Sequence, residues 1–163
     1  LGDKKITKEM GKINARAKGN AFELWCIKRM RHLFPTAISA RWESKRLDDL
    51  GVDICYTDEY SFQCKAVEGS MDVFKFLDNM PDGVNMNVVI WTRNRKGVFC
   101  IFREPRPDFC ESYEGWAEVE SKVNPIFKGD KDPPFKWNHP KKGTVGVMPL
   151  DDFICLIEKK KGL

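Results

Sequence analysis

Cysteine pairs spaced C-x-x-C are missing from this sequence, and its two histidines, His32 and His139, stand far from any paired cysteines. A structural zinc, which draws on closely spaced Cys and His ligands, is therefore disfavoured. Nothing local supports a Ser-His-Asp or Cys-His triad either. No stretch approaches the roughly 18 consecutive apolar residues that a membrane helix needs, and the N-terminus has no apolar signal-peptide core. The chain is expected to be soluble and not secreted. Asp3, Glu9 and the scarcity of Ser and Thr near them argue against a transit peptide, and Leu1 suggests that the true start is missing or processed. Internal repeats and low-complexity blocks are also absent.

What is present suits one compact domain, since 163 residues can enclose one core but hardly two. Six cysteines (Cys26, Cys55, Cys64, Cys100, Cys110, Cys155) could suggest a disulfide framework. Four of them, however, lie inside apolar runs such as Val98–Phe102 and Phe153–Leu156, where a free thiol acts as a small hydrophobe. A reducing compartment is expected. The net charge of +4 is too small by itself to indicate a nucleic-acid partner. Its distribution is uneven: residues 1–46 hold 12 basic and 4 acidic side chains, residues 47–100 hold 5 and 9, and residues 101–163 hold 11 of each.

Residues 1–12 are polar and basic and read as an arm or a frayed first turn. From about Ile13 to Phe34 the spacing of Phe22, Cys26, Met30 and Leu33 predicts a long helix, which Pro35 ends. Strands are expected at Val52–Tyr56 and Ser61–Val67, joined through a polar hairpin turn. A helix from Ser70, as N-cap, to about Met80 follows. Val88–Trp91 has the uninterrupted apolar character of a strand covered on both faces, and Val98–Phe102 is a second. Residues 103–144 carry six of the nine prolines, so regular structure there should be short and interrupted, as in an insertion. Val145–Met148 is expected as an edge strand and Leu150–Glu158 as a closing helix.

The informative constellation is Glu23 on the first helix, Asp53 on the first strand, and Gln63 and Lys65 on the second. Glu23 shares its helical stripe with Cys26, Ile27, Met30 and Phe34, so a carboxylate heads the inward side, where it needs a partner. Gln63 and Lys65 share a strand face. Asp53 joins them only if the connecting loop is odd in length or bulged; an even loop sets it with Cys64 instead. Two acids, an amide oxygen and a lysine at one spot make a hard-cation site beside a cationic group, suited to phosphodiester hydrolysis. An ordinary ion pair of Lys65 with Asp53 or Glu23, beside a surface Gln63, is the other reading.

Gly51-Val52-Asp53-Ile54, the spacing from Asp53 to Gln63, Phe62-Gln63-Cys64-Lys65, and Lys18-Gly19-x-x-x-Glu23 upstream resemble the PD-(D/E)XK nuclease superfamily, most closely its archaeal and phage Holliday junction resolvases. The resemblance covers about residues 18–67 and, by order of elements, 70–102 and 145–158. It implies a restriction-endonuclease-like α/β core, a mixed central sheet with flanking helices, in a single nuclease domain. It also implies Mg²⁺, with Mn²⁺ as a substitute, held by Glu23, Asp53, Gln63 and the Cys64 carbonyl, and Lys65 as the catalytic lysine. Two departures stand out. Val52 replaces the proline, and Gln63 replaces the second acid, which removes one negative charge.

By the same resemblance the partner is DNA, a four-way junction or other branched form. Lys18, Arg41, Ser44, Lys45 and Arg46 are candidate phosphate contacts. Trp42, between them, is either an aromatic for an unstacked base or a core residue. A junction cut symmetrically needs two active sites, hence a homodimer, with contacts expected around Trp91, Phe99 and Ile101 or in the 103–144 segment. A nicking, mismatch or restriction-type nuclease and a catalytically silent DNA-binding protein are the competing functions. The setting expected is the cytoplasm of a prokaryotic, archaeal or phage-infected cell, or another intracellular compartment holding DNA.

Overall fold

The computed structural model describes residues 2–93, 96–104, 115–128 and 132–163. Helix α1 (Gly2–Met30) buries Cys26, Ile27 and Met30, with Glu23 on the same inward side, as the spacing requires. Both of its ends differ from expectation. The segment read as an arm is helical from Gly2 onward, because it holds no proline and its Lys, Glu and Met residues favour helix. At the other end Pro35 drives Phe34 out of the helical region, so α1 stops at Met30. The N–H groups of Leu33 and Phe34 then close on the Met30 carbonyl at 2.9 and 3.0 Å.

Strand β1 (Ile38–Ser39) and two short helices, α2 (Ala40–Glu43) and α3 (Lys45–Asp49), lead to β2 (Ile54–Cys55) and β3 (Tyr60–Ala66). Next come α4 (Val73–Asn79), β4 (Met86–Arg93) and β5 (Gly97–Arg103). The N-cap of α4 is Asp72 rather than Ser70; its carboxylate accepts the Lys75 N–H at 3.2 Å, because the buried face begins only at Val73. The chain continues through β6 (Ala117–Glu120), α5 (Pro125–Lys128), β7 (Phe135–His139), β8 (Gly143–Pro149) and α6 (Leu150–Lys161).

The strands form one eight-stranded mixed sheet in the order β1-β2-β3-β4-β5-β8-β7-β6. β3–β4 and β6–β7 are parallel pairs, and the other neighbours are antiparallel. Alternation along β4 decides the layers: Val88 and Ile90 pack with α1 and α6, while Val89 and Trp91 pack with α4 and α5. The chain is thus mixed α/β, with helices on both faces of the sheet.

Three expectations change at this level. Val145–Met148 lies between β5 and β7 and is fully buried, so β8 is an interior strand. Strands β6 and β7 make the proline-rich segment part of the main sheet, although residues 105–114 and 129–131 of it lie outside the described residues. Trp91 and Ile101 are fully enclosed beneath α4 and cannot be surface contacts. Cys155, although inside an apolar run, is exposed, and all five described cysteines are free. Among the described residues no helix is long and apolar enough to cross a membrane.

Candidate functional site

Ile54 of β2 pairs with Phe62 of β3, which leaves residues 55–61, an odd number, to turn between them. Two residues of this turn, Tyr56 and Asp58, take left-handed backbone conformations (φ 63° and 51°). Asp53 stands just before β2, and its N–H donates to the Phe62 carbonyl at 2.8 Å. The odd turn is one of the conditions under which Asp53 falls on the face of Gln63 and Lys65, and the Lys65 charge acts on Asp53. Asp53 Oδ2 in turn accepts the Cys64 N–H at 2.7 Å, a bond that fixes the carboxylate against β3. Since a strand residue's N–H and C=O project to the same side, the Cys64 carbonyl is directed toward Asp53 as well.

Glu23 approaches from α1 and is buried. Its Oε1 accepts a hydrogen bond from the Ser39 hydroxyl and one from Arg41 Nη2 at 3.3 Å, so the partner a buried acid demands is supplied by β1 and α2. Arg41 also donates to Asn20, which sits three residues before Glu23 on the same helix face. Lys65 places its ammonium 4.3 Å from the centre of the Phe76 ring on α4.

Burial is the largest influence on Asp53 and raises its pKa to about 6. The Cys64 N–H lowers it, the Glu23 charge raises it, Lys65 lowers it and Asp48 raises it, so Glu23 and Lys65 are both close enough to act on Asp53. Cys64 itself faces α1, where bonding to Cys26 and then burial push its thiol well up. Gln63 is buried with its Oε1 lacking any hydrogen-bond partner. Its amide lies over Gly51, where a Cβ would stand 3.1 Å from Nε2 and where φ is +80°, so glycine is required twice over.

The structure thus sets Asp53 within electrostatic reach of both Glu23 and Lys65, while Gln63 lies on β3 against Gly51. The candidate phosphate contacts are more scattered. Lys18 pairs with Glu68 at 2.9 Å, Arg41 is held by Glu23, and Lys45 and Arg46 are exposed. Ser44 caps α3, its Oγ accepting the Leu47 N–H at 3.3 Å, which leaves its own hydroxyl hydrogen to donate elsewhere. Trp42 is 85% exposed and so is not a core residue. Sequence reasoning missed Ser39, Asn20 and Asp48, and named Gly51 only as part of the motif. Asn20 could have been found from its three-residue offset to Glu23, whereas Ser39 carries no local signal. No protein-family model, curated protein or solved structure matches the chain.

Proposed function

We propose that the chain is a Mg²⁺-dependent, structure-specific DNA endonuclease of the PD-(D/E)XK type, acting on four-way junctions or other branched DNA. The observation that carries this reading is a buried Asp53 carboxylate held against β3 by the Cys64 N–H, with the Glu23 and Lys65 charges both acting on it. Two crowded carboxylates and a buried amide oxygen without a partner are what a hard cation would relieve. Among the described residues no group of three His, Cys, Asp or Glu forms a metal cluster; here Gln63 fills the third position, so the donor set fits Mg²⁺ with one charge fewer. Glu23, Asp53, Gln63 and the Cys64 carbonyl would hold the ion, whose chemistry is to polarise the phosphate and lower the pKa of water.

The chain's own groups do the rest. Lys65 supplies positive charge beside Asp53, where it orients the attacking water and offsets the charge that grows on the phosphoryl oxygens. The water oxygen joins phosphorus and gives up a proton to solvent, the phosphodiester P–O bond breaks, and the leaving oxygen takes a proton from solvent. The Ser39 and Arg41 contacts fix the position of the Glu23 carboxylate. Symmetric cutting of a junction calls for a homodimer of such sites.

Cleavage assays on junction, duplex and single-stranded DNA in Mg²⁺ or Mn²⁺ test the proposal. Asp53→Asn and Lys65→Ala should each reduce cleavage by at least about 10²-fold while DNA affinity stays within a fewfold. Equal loss of binding and cleavage would show that the roles are wrong. Binding without any cutting by the parent protein would leave a DNA-binding module in which Gln63 marks a lost activity.

A further inference from the structure

Trp42 is the most exposed aromatic side chain of the described residues, and nothing in the fold uses it. Its helix, in contrast, is firmly tied down. The Ala40 N–H donates to the Asp53 carbonyl at 2.8 Å, Ala40 is fully buried, and Arg41 is held by both Asn20 and Glu23. The residues just before Trp42 are therefore bonded to the two acids of the candidate site. This tether holds the indole within about 10–15 Å of Asp53, the reach of two residues and a side chain. Beyond it, Lys45 and Arg46 on α3 are exposed and form no salt bridge with an acidic side chain of the described residues.

An exposed indole on a tethered turn, followed by two exposed cations, matches a polymer with planar apolar faces and a regular negative charge. We infer that Trp42 is a stacking platform for an unpaired base of the bound strand, with Lys45 and Arg46 on the phosphates beside it. Inside a continuous duplex both faces of every base are covered by neighbours, so such a platform finds a free face only at single-stranded segments or branch points. This selects for DNA with unpaired or unstacked bases close to the cleaved bond, and so deepens the nuclease reading on which its location rests. A membrane surface also attracts Trp beside Lys and Arg, but it requires an extended apolar helical face. Helix α2 has four residues, of which Ala40 is buried and Arg41 and Glu43 are charged.

The test is binding in EDTA, where no cleavage occurs, to duplex, single-stranded and four-way-junction DNA carrying 2-aminopurine at an unpaired position. Trp42→Ala should weaken binding to the unpaired substrates about tenfold and abolish the 2-aminopurine quenching. Trp42→Phe should retain most of both, and duplex affinity should stay within twofold. Because Trp42 is 85% exposed, the melting temperatures of both variants should equal that of the parent. Unchanged affinity and quenching in Trp42→Ala overturn the inference even if the parent cleaves DNA. Equal loss on duplex does the same, as does Trp42-dependent binding to vesicles of anionic phospholipid without any to DNA. Trp42-dependent binding of unpaired DNA by a parent that cuts nothing in Mg²⁺ or Mn²⁺ upholds the platform and overturns the nuclease reading alone.

Discussion

Asp53 carries an electrostatic cost whose sign can be read from its pKa. Burial and the Glu23 charge hold its proton up to about pH 6, against an ordinary value of 3.8. Below pH 4 the group is protonated both folded and unfolded, and it contributes nothing. As pH rises through the interval from 4 to 6 the unfolded chain releases the proton first, so stability is lost and the full penalty persists above 6. Asp53→Asn keeps an acceptor for the Cys64 N–H and removes that penalty. Melting curves should find this variant a few degrees more stable than the parent at pH 7 and equal to it near pH 4. Adding Mg²⁺ should stabilise the parent but not the variant, and stabilisation of both alike would disconnect the ion from Asp53. Gln63→Glu restores the missing charge next to two existing carboxylates. It should lower the half-saturating Mg²⁺ concentration about tenfold in calorimetric titration, and without metal it should melt below the parent.

At the scale of elements, β5 and β8 meet through one close contact. Gly146 lies opposite Phe102, and a Cβ on it would stand 2.9 and 3.0 Å from two ring carbons. The ring cannot yield easily, being fully buried between Trp116 and Phe153. Gly146→Ala should therefore cost roughly 1–3 kcal/mol and several degrees in thermal denaturation; an unchanged melting temperature would mean that the ring has room to move. Nothing in the local pattern Gly143–Pro149 announced this contact, because it depends on a partner strand some 40 residues earlier. The same reason hid the interior position of β8. Val88–Trp91 was legible because coverage of both faces is written in the residues themselves. The stripe of α1 was legible too, from its offsets. Strand β1, α2 and α3 are too short to show any period, so Ser39 could not be set beside Glu23 in advance. The four residues of the candidate site were all visible as types, but the turn length between Asp53 and β3 is decided only by the Ile54–Phe62 pairing.

For the whole molecule, the excess of 12 basic over 4 acidic side chains in residues 1–46 lies in the same part of the chain as Glu23, Arg41 and the exposed Lys45 and Arg46. If about five phosphates are neutralised there, DNA affinity should fall roughly 10²–10³-fold between 50 and 200 mM salt, a slope that fluorescence anisotropy can measure. A flat response would place the affinity elsewhere. The central position of β8 also has a consequence for the order in which the protein takes shape. Every residue of the candidate site has left the ribosome once Phe76 has, and β1 to β5 can pair among themselves soon after. Until residues 143–149 arrive, however, β5 keeps an open hydrogen-bonding edge, and β7 has no place in the sheet. The nascent chain thus carries the candidate-site residues on an unfinished sheet, and during that interval the bare edge of β5 is where a second unfinished chain would attach.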